Sequence, residues 1–351
     1  MGILQQIWQS LASLPPGKPV RATGLAMGFC GVLGILGVLG SATVSAQPQA
    51  PQLPLGGVRV QMPSLEAGVQ LPAYWFAPMA TGAARPGNPV GAGASAPAVV
   101  ALHGCDGLLN AQGGLGTQRL RYVRLLREAG VGVLYTDSFT PRGERSICSQ
   151  KARVRKITEE NRRLDVYGAL NWLAAQPGVD AARLGVIGWS NGGQATLAAA
   201  DGSLGVVASA AVKPAALVAF YPGCAAFERS PRYAVVAPLL VMSGALDDWT
   251  PAAPCQRLSQ RLQEQRLHRQ RLQGQAEAPD TATAFEVQYI EFADSYHAFD
   301  SALPPRERLD VGSTPSGKAT VGGNPVARDE SAAAMLRFLS RHLRLGAKLE
   351  Q

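Results

Sequence analysis

Short apolar runs with almost no polar interruption recur along the chain, at 98–102 (AVVAL), 131–135 (VGVLY), 184–188 (LGVIG), 217–221 (LVAFY), 238–242 (PLLVM) and 285–292 (FEVQYIEF). Strands that lack polar alternation are strands covered on both faces. Between them lie segments with helical spacing, at 117–129, 159–175, 191–200, 252–273 and 329–345. Strand and helix in alternation imply a mostly parallel central sheet flanked by helices and joined by right-handed crossovers. An alternating stretch at 58–61 and a strand-like one at 71–77 precede the first run, and 79–96 is a Gly/Pro/Ala loop. No internal repeat is visible, so the reading is a single α/β domain over residues 55–347.

Composition supports that reading. At 351 residues, 46% hydrophobic and 17% charged, the chain can bury a large core and is no charged disordered segment. The net charge of +8 comes from 27 Arg and 6 Lys spread along the chain. Aromatic residues are scattered too, so no basic stripe with interleaved rings marks a nucleic-acid groove. In segment 117–129, Arg119, Arg121, Arg124 and Arg127 alternate with Leu120, Val123, Leu125 and Leu126, which reads as a solvated outer face. Arg142, Arg145, Lys151, Arg153, Arg155 and Lys156 read as solvated cations, with capture of a substrate carboxylate as the functional alternative.

The N-terminus sets the compartment. Residues 1–46 hold no acidic side chain, carry Lys18 and Arg21, run uncharged through an apolar stretch and end in Val44-Ser45-Ala46. That is an export signal with a small-x-small cleavage site. The alternative is an uncleaved membrane anchor within residues 22–46, and either way the domain is exported. Residues 47–54 are a Pro/Gln-rich leader expected to be disordered. Outside the signal segment lie Cys105, Cys148, Cys224 and Cys255, an even number in an oxidising compartment. Pairing neighbours in sequence, 105 with 148 and 224 with 255, fits the topology best; other pairings and four free thiols remain open. No closely spaced Cys/His set suggests zinc or any other metal site.

Gly188-Trp189-Ser190-Asn191-Gly192 fits G-x-S-x-G at the end of the run 184–188 and the start of a small-residue helix. That strand-turn-helix setting presents a serine hydroxyl at the sheet's edge. Of four histidines, His103 lies in a strand-ending turn, His268 on a charged helix face and His342 in the last helix. His297 remains, in a loop after 285–292, at a strand's carboxyl end where open α/β sheets place their sites. The acid falls between serine and histidine in chain order. Asp247 is preferred to Asp248 because it stands first in the Asp-x-x-Thr-Pro register of comparable hydrolases. The Asn191 backbone N–H would supply one oxyanion donor and that of Cys105 the second, an ordinary turn at His103-Gly104 being the alternative.

Gly-x-Ser-x-Gly-Gly, Asp-Asp-Trp-Thr-Pro at 247–251, Ser-Tyr-His-Ala-Phe at 295–299 and the inferred sheet order together resemble the dienelactone hydrolase family of α/β-hydrolases, over nearly the whole mature chain. Asp137-Ser138-Phe139 with Pro141-Arg142-Gly143 is similar to exported members. The resemblance implies an α/β-hydrolase fold, a triad of Ser190, Asp247 and His297, and oxyanion N–H groups on Cys105 and Asn191. Dienelactone hydrolases proper use a cysteine nucleophile and a glutamate where this chain has Ser190 and Gly104.

The expected protein is therefore a serine hydrolase of carboxylic esters, working through an acyl-enzyme on a small-molecule ester, with no cofactor and no nucleic-acid partner. A peptidase or thioesterase with the same triad, or a non-catalytic binding module, are the alternatives. Loops 137–158, 220–238 and 298–328 would form the pocket. Trp189, Trp249, Tyr296 and Phe299 are candidates to line it.

Overall fold

Among the described residues eight strands form one sheet: β1 (Val58–Pro63), β2 (Gln70–Phe76), β3 (Ala96–Leu102), β4 (Gly132–Thr136), β5 (Val179–Trp189), β6 (Ala216–Phe220), β7 (Leu239–Gly244) and β8 (Val287–Phe292). Their spatial order is β1-β2-β4-β3-β5-β6-β7-β8. β2 alone runs against the others, so the sheet is mostly parallel, as expected from the unbroken apolar runs. The computed structural model describes residues 53–79, 95–273 and 285–346. The segment expected to be signal or anchor, most of the leader and most of the 79–96 loop lie outside those residues. Among the described residues no helix is long and apolar enough to cross a membrane.

Alternate strand residues feed two apolar clusters, one on each face. Ala98, Val100 and Leu102 of β3, Leu184 and Val186 of β5, and Leu239 and Val241 of β7 join the first. Val99, Ala101, Ile187, Trp189, Leu240 and Met242 join the second. α2 (Glu159–Ala174), α3 (Asn191–Ala200) and α6 (Ala252–Gln273) close the first face through residues such as Leu170, Leu197 and Leu258. α1 (Thr117–Glu128) and α7 (Pro325–His342) close the second through Val123, Leu126, Met335 and Phe338. Each such side chain, fully buried, contributes about 1.5–3 kcal/mol, so neither face can be left uncovered.

Several boundaries differ from the sequence reading. Pro54–Gly56, across the expected domain start at 55, forms a 3-10 turn, and Leu53 and Leu55 pack on the second cluster. α7 starts at Pro325, four residues ahead of 329, because the Asn324 side chain accepts from the N–H groups of Val326 and Ala327 and Pro325 occupies the first turn. Two one-turn helices, α4 (Gly205–Ala208) and α5 (Ala225–Glu228), and a small hairpin of β9 (Arg306–Arg308) with β10 (Ala319–Val321) were not anticipated. They are too short for periodicity to reveal.

Both sequence-neighbour disulfides are formed. Cys105–Cys148 ties the turn after β3 to loop 137–158, and Cys224–Cys255 ties the start of α5 to α6, with Cα atoms 4.9 and 5.0 Å apart. Loop 137–158 is also pinned by Arg142, whose guanidinium bonds both Asp165 oxygens (2.9 and 2.8 Å) and Glu66 (2.6 Å). Arg142 is thus neither a solvated cation nor free to hold a substrate carboxylate. Arg145, Lys151, Arg153 and Lys156 are exposed as expected. Replacing Cys105 and Cys148 together by Ser should lower stability by about 4 kcal/mol, given the 43-residue separation they close. Urea unfolding without reductant measures this; an unchanged midpoint would remove the tether from the account.

Candidate active site

β5 ends at Trp189 and α3 begins at Asn191, so the chain reverses from strand to helix within Ser190. Its backbone lies at φ 54°, ψ −116°, a conformation that costs a non-glycine residue roughly 1–3 kcal/mol. The turn is held by Ser190 N–H donating to the Phe220 carbonyl and Gln194 N–H donating to that of Ser190, both at 2.9 Å. Two glycines allow it. A methyl group on Gly188 would collide with the Gly192 carbonyl, and one on Gly192 with the Leu102 carbonyl. The motif's spacing is therefore a packing requirement of the elbow.

The structure brings the three expected side chains together. Ser190 Oγ lies 2.9 Å from His297 Nε2, and His297 Nδ1 lies 2.8 Å from Asp247 Oδ2. A carboxylate only accepts, so Nδ1 carries the proton and Nε2 is free to accept from the serine hydroxyl. Asp247 is fixed in turn by the N–H groups of Trp249 (2.9 Å) and Thr250 (2.7 Å) on Oδ1 and by the Thr250 hydroxyl (2.9 Å) on Oδ2. Thr250 stands out only here: its hydroxyl is also 3.0 Å from His297 Nδ1 and 3.1 Å from the Tyr221 carbonyl. Asp248 faces elsewhere, accepting from Thr320 N–H (2.8 Å) and the Thr320 hydroxyl (3.1 Å) to hold β10.

Asn191 is the first residue of α3, so its N–H has no partner within the helix. Among the described residues nothing accepts the Cys105 N–H either. Both residues wall the same small cavity as Ser190. Arg162, which sequence reasoning passed over, is 1% exposed and donates to the Asn191 side chain at 2.7 Å. Burial pushes its guanidinium down to about 10, and Phe139 lies 5.2 Å beneath it. His103 is buried, donates from Nδ1 to the Gly104 carbonyl (2.8 Å) and accepts at Nε2 from Ser138 N–H (3.3 Å). Burial, and then the charge of Arg162, hold its pKa well below the ordinary value, so it stays neutral and structural. His268 is exposed on α6, and His342 sits 3.2 Å from Glu286.

Asp300 was also unanticipated. Buried at 1% exposure, it accepts from Gln118 (2.7 Å), Tyr221 (2.8 Å), Tyr122 (2.8 Å) and the Trp189 indole (3.1 Å). Burial first and the Asp300 charge second hold both phenols well above their usual range, so both remain donors. The Tyr221 ring lies 4.8 Å from that of His297, and Trp189 precedes Ser190, so this carboxylate braces both sides of the triad.

Two cavities meet at Ser190, one of about 690 Å³ and one of about 210 Å³. Loop 298–328 contributes to the larger one as expected, but loop 137–158 gives it only Cys148. Its main additional wall is α1. Arg119, Arg121 and Arg124 line it; Arg124 is exposed, as expected of a solvated outer face, whereas Arg119 and Arg121 are half-buried, which corrects that expectation for those two. Arg127 does not face solvent alone either: it donates to the carbonyls of Ala77 (2.7 Å) and Leu55. Trp189 and Trp249 line the cavity, whereas Phe299 packs in the core against Tyr221 and Tyr296 borders neither cavity. Among the described residues no three His, Cys, Asp or Glu side chains converge in a metal-ligating cluster.

Sheet order and elbow define an α/β-hydrolase. Residues 84–343 match the dienelactone hydrolase family, and the chain belongs to that family. None of the curated proteins compared matches it in sequence. Its fold is similar to that of a dienelactone hydrolase-like promiscuous phosphotriesterase from metagenomic libraries, at 17% identity and TM-score 0.52, over 82% of this chain and 98% of that one. It is likewise similar to esterase 2 of Thermogutta terrifontis, crystallised phosphoramylated by tabun, at 14% identity and TM-score 0.53, over 85% of this chain and 98% of that one. A puromycin-hydrolysing peptidase of Mycobacterium tuberculosis aligns at 18% identity and TM-score 0.54, over 85% of this chain but 41% of its own.

The neutral His103 gives stability a pH signature. Unfolded, the imidazole takes a proton near its ordinary value of 6.5; folded, it refuses one until well below that. The unfolded state therefore binds more protons as pH falls below 6.5, and this contribution to stability is lost there at up to about 1.4 kcal/mol per pH unit. Between pH 6.5 and 5 the wild type should lose about 1–2 kcal/mol more than His103→Gln, by urea unfolding at each pH. Parallel curves would sink the assignment.

Proposed function

We propose that the protein is a serine esterase that cleaves carboxylic esters through an acyl-enzyme. The observation that carries this reading is the continuous run of contacts from Ser190 Oγ to His297 Nε2 (2.9 Å) and from His297 Nδ1 to Asp247 Oδ2 (2.8 Å), set on a strained elbow. Ser190 Oγ attacks the acyl carbon while its proton passes to His297 Nε2. Asp247 holds the ring and stabilises the imidazolium. The N–H groups of Cys105 and Asn191 receive the oxyanion, each such donor being worth about 3–4 kcal/mol in the transition state. Collapse expels the alcohol oxygen, which takes the proton from Nε2, and water repeats the sequence on the acyl-enzyme.

Family membership supports hydrolysis, and the esterase and dienelactone hydrolase neighbours, aligned over nearly their whole length, favour esters over peptides. The peptidase neighbours carry more than half of their chains outside the aligned part. Two disulfides suit an oxidising compartment, which fits export by residues 1–46.

A fluorophosphonate probe should add a single mass to the folded protein and none to Ser190→Ala, read by intact-mass spectrometry. Ser190→Ala should lose about 10⁴-fold or more of ester turnover. Labelling of folded Ser190→Ala, or its undiminished turnover, would overturn the nucleophile. Asp247→Asn should lower kcat by roughly 10³–10⁴-fold, and Asp248→Asn by less than about tenfold. The reverse order would move the acid by one residue.

A further inference from the structure

Ser190, Cys105 and Trp249 wall both cavities, so an acyl carbon at Ser190 sends one substituent into each. The cavities differ in which reacting group they hold. His297 lines the larger and not the smaller. The proton His297 receives must return to the leaving oxygen, so the alcohol portion occupies the 690 Å³ cavity. The acyl group is left with the 210 Å³ cavity, whose walls include Arg155, Glu159, Gln194 and Thr250. A space this small suits a short acyl group and not a long alkyl chain.

The alcohol cavity is cationic. Six guanidinium groups line it: Arg119, Arg121 and Arg124 from α1, Arg306 and Arg308 from β9, and Arg328 from α7. Asp106 and Asp300 line it too, but Asp106 is taken by Arg119 (3.0 Å) and Asp300 by its four neutral donors. Asp329 is shared between Arg121 (3.0 Å) and Arg328 (3.1 Å), and Arg121 Nη1 is buried without a partner. Among the described residues no carboxylate pairs with Arg124, Arg306 or Arg308. Like charges gathered in a concave site raise the local concentration of the opposite charge. The excess charge also reaches the chemistry: the Arg308 guanidinium lies 5.2 Å from the Trp249 ring, which lies 4.7 Å from the ring of His297.

Resting on the esterase reading, the geometry points to a short-chain acyl ester of an alcohol that carries an oxyanion group, carboxylate or phosphate, held by Arg306, Arg308 and Arg124 in the larger cavity while the acyl group occupies the smaller. Guanidinium groups bind both anions through paired N–H donors.

The test compares acetyl esters with similar phenol leaving groups: meta-acetoxybenzoate, meta-acetoxyphenyl phosphate and neutral methyl meta-acetoxybenzoate. At low salt at least one anionic ester should exceed the neutral one in kcat/KM by about tenfold or more, and the preference should shrink as salt screens it. The better anion tells carboxylate from phosphate. Arg306→Gln with Arg308→Gln should reduce the preference by about tenfold, Lys at both positions should retain part of it, and Arg341→Gln on the far end of α7 should keep it. The acetyl ester should outrun the decanoyl ester of the same phenol. A neutral ester hydrolysed as fast as both anions, or a decanoyl ester faster than the acetyl one, would overturn the proposal provided that fluorophosphonate still labels Ser190. A folded protein that neither labels nor hydrolyses any ester overturns the esterase reading itself, and the substrate class falls with it.

Discussion

The site depends on one backbone constraint, the passage from β5 to α3 through a single residue at positive φ. Ser190 occupies a conformation that an isolated chain avoids, and it stays there because its N–H and carbonyl are both bonded to elements on either side of the turn. The bond to Phe220 belongs to the neighbouring strand β6, so the elbow forms only once the parallel pairing of β5 with β6 is in register. Close approach of Gly192 to the Leu102 carbonyl couples it to β3 in the same way. Ser190 and the turn after β3 are thus positioned by one set of sheet contacts, and strain at the serine is offset by packing spread over three strands.

Around that elbow the buried polar atoms are arranged as acceptors with several fixed donors. Asp247 collects two N–H groups and a hydroxyl besides His297, and Asp300 collects two phenols, an indole and an amide. A buried carboxylate with that many donors is held in one orientation. The two carboxylates serve different ends. Asp247 has one donor that can become charged, the imidazole, and so responds to chemistry there; Asp300 has only neutral donors and serves to place Tyr221 and Trp189 around the reacting groups.

Sequence legibility followed the length scale of the physics. Strands, long helices, the serine elbow, the convergence of Ser190, Asp247 and His297 and the disulfide neighbours were readable because each rests on periodicity, local motif or chain order. Arg162, Thr250 and Asp300 were not, because what marks them is burial against partners 29 to 182 residues away, which no window along the chain contains. Thr250 was visible only as a letter in the Asp-x-x-Thr-Pro register. Arg119 and Arg121 of α1 were misread for a related reason. Helical spacing correctly put Val123 and Leu126 inward, but it says nothing about whether the opposite flank meets water or the rim of a cavity. Loop 298–328, folding back as the β9–β10 hairpin, supplies further residues to that cavity from a distance in sequence.

The N–H groups of Asn191 and Cys105, proposed above as the oxyanion donors, are made rigid by different means, and together these explain why the surrounding loops are so heavily tied. Asn191 is fixed by α3 and by the buried Arg162 on its side chain. Cys105 sits in a turn with no regular structure of its own, and five ties hold that turn. The Cys148 disulfide anchors its side chain, Ile147 N–H donates to its carbonyl at 2.8 Å, His103 and Gly107 both donate to the Gly104 carbonyl, and Arg119 donates to the Gly107 carbonyl at 2.6 Å. A donor aimed at developing charge helps only if it need not move when the charge appears, since reorganisation would cancel the gain. The disulfide, the neutral His103 and Arg119 therefore act on the same N–H, and Arg119 does so while also lining the cationic cavity, which joins the proposed oxyanion turn to the proposed substrate wall.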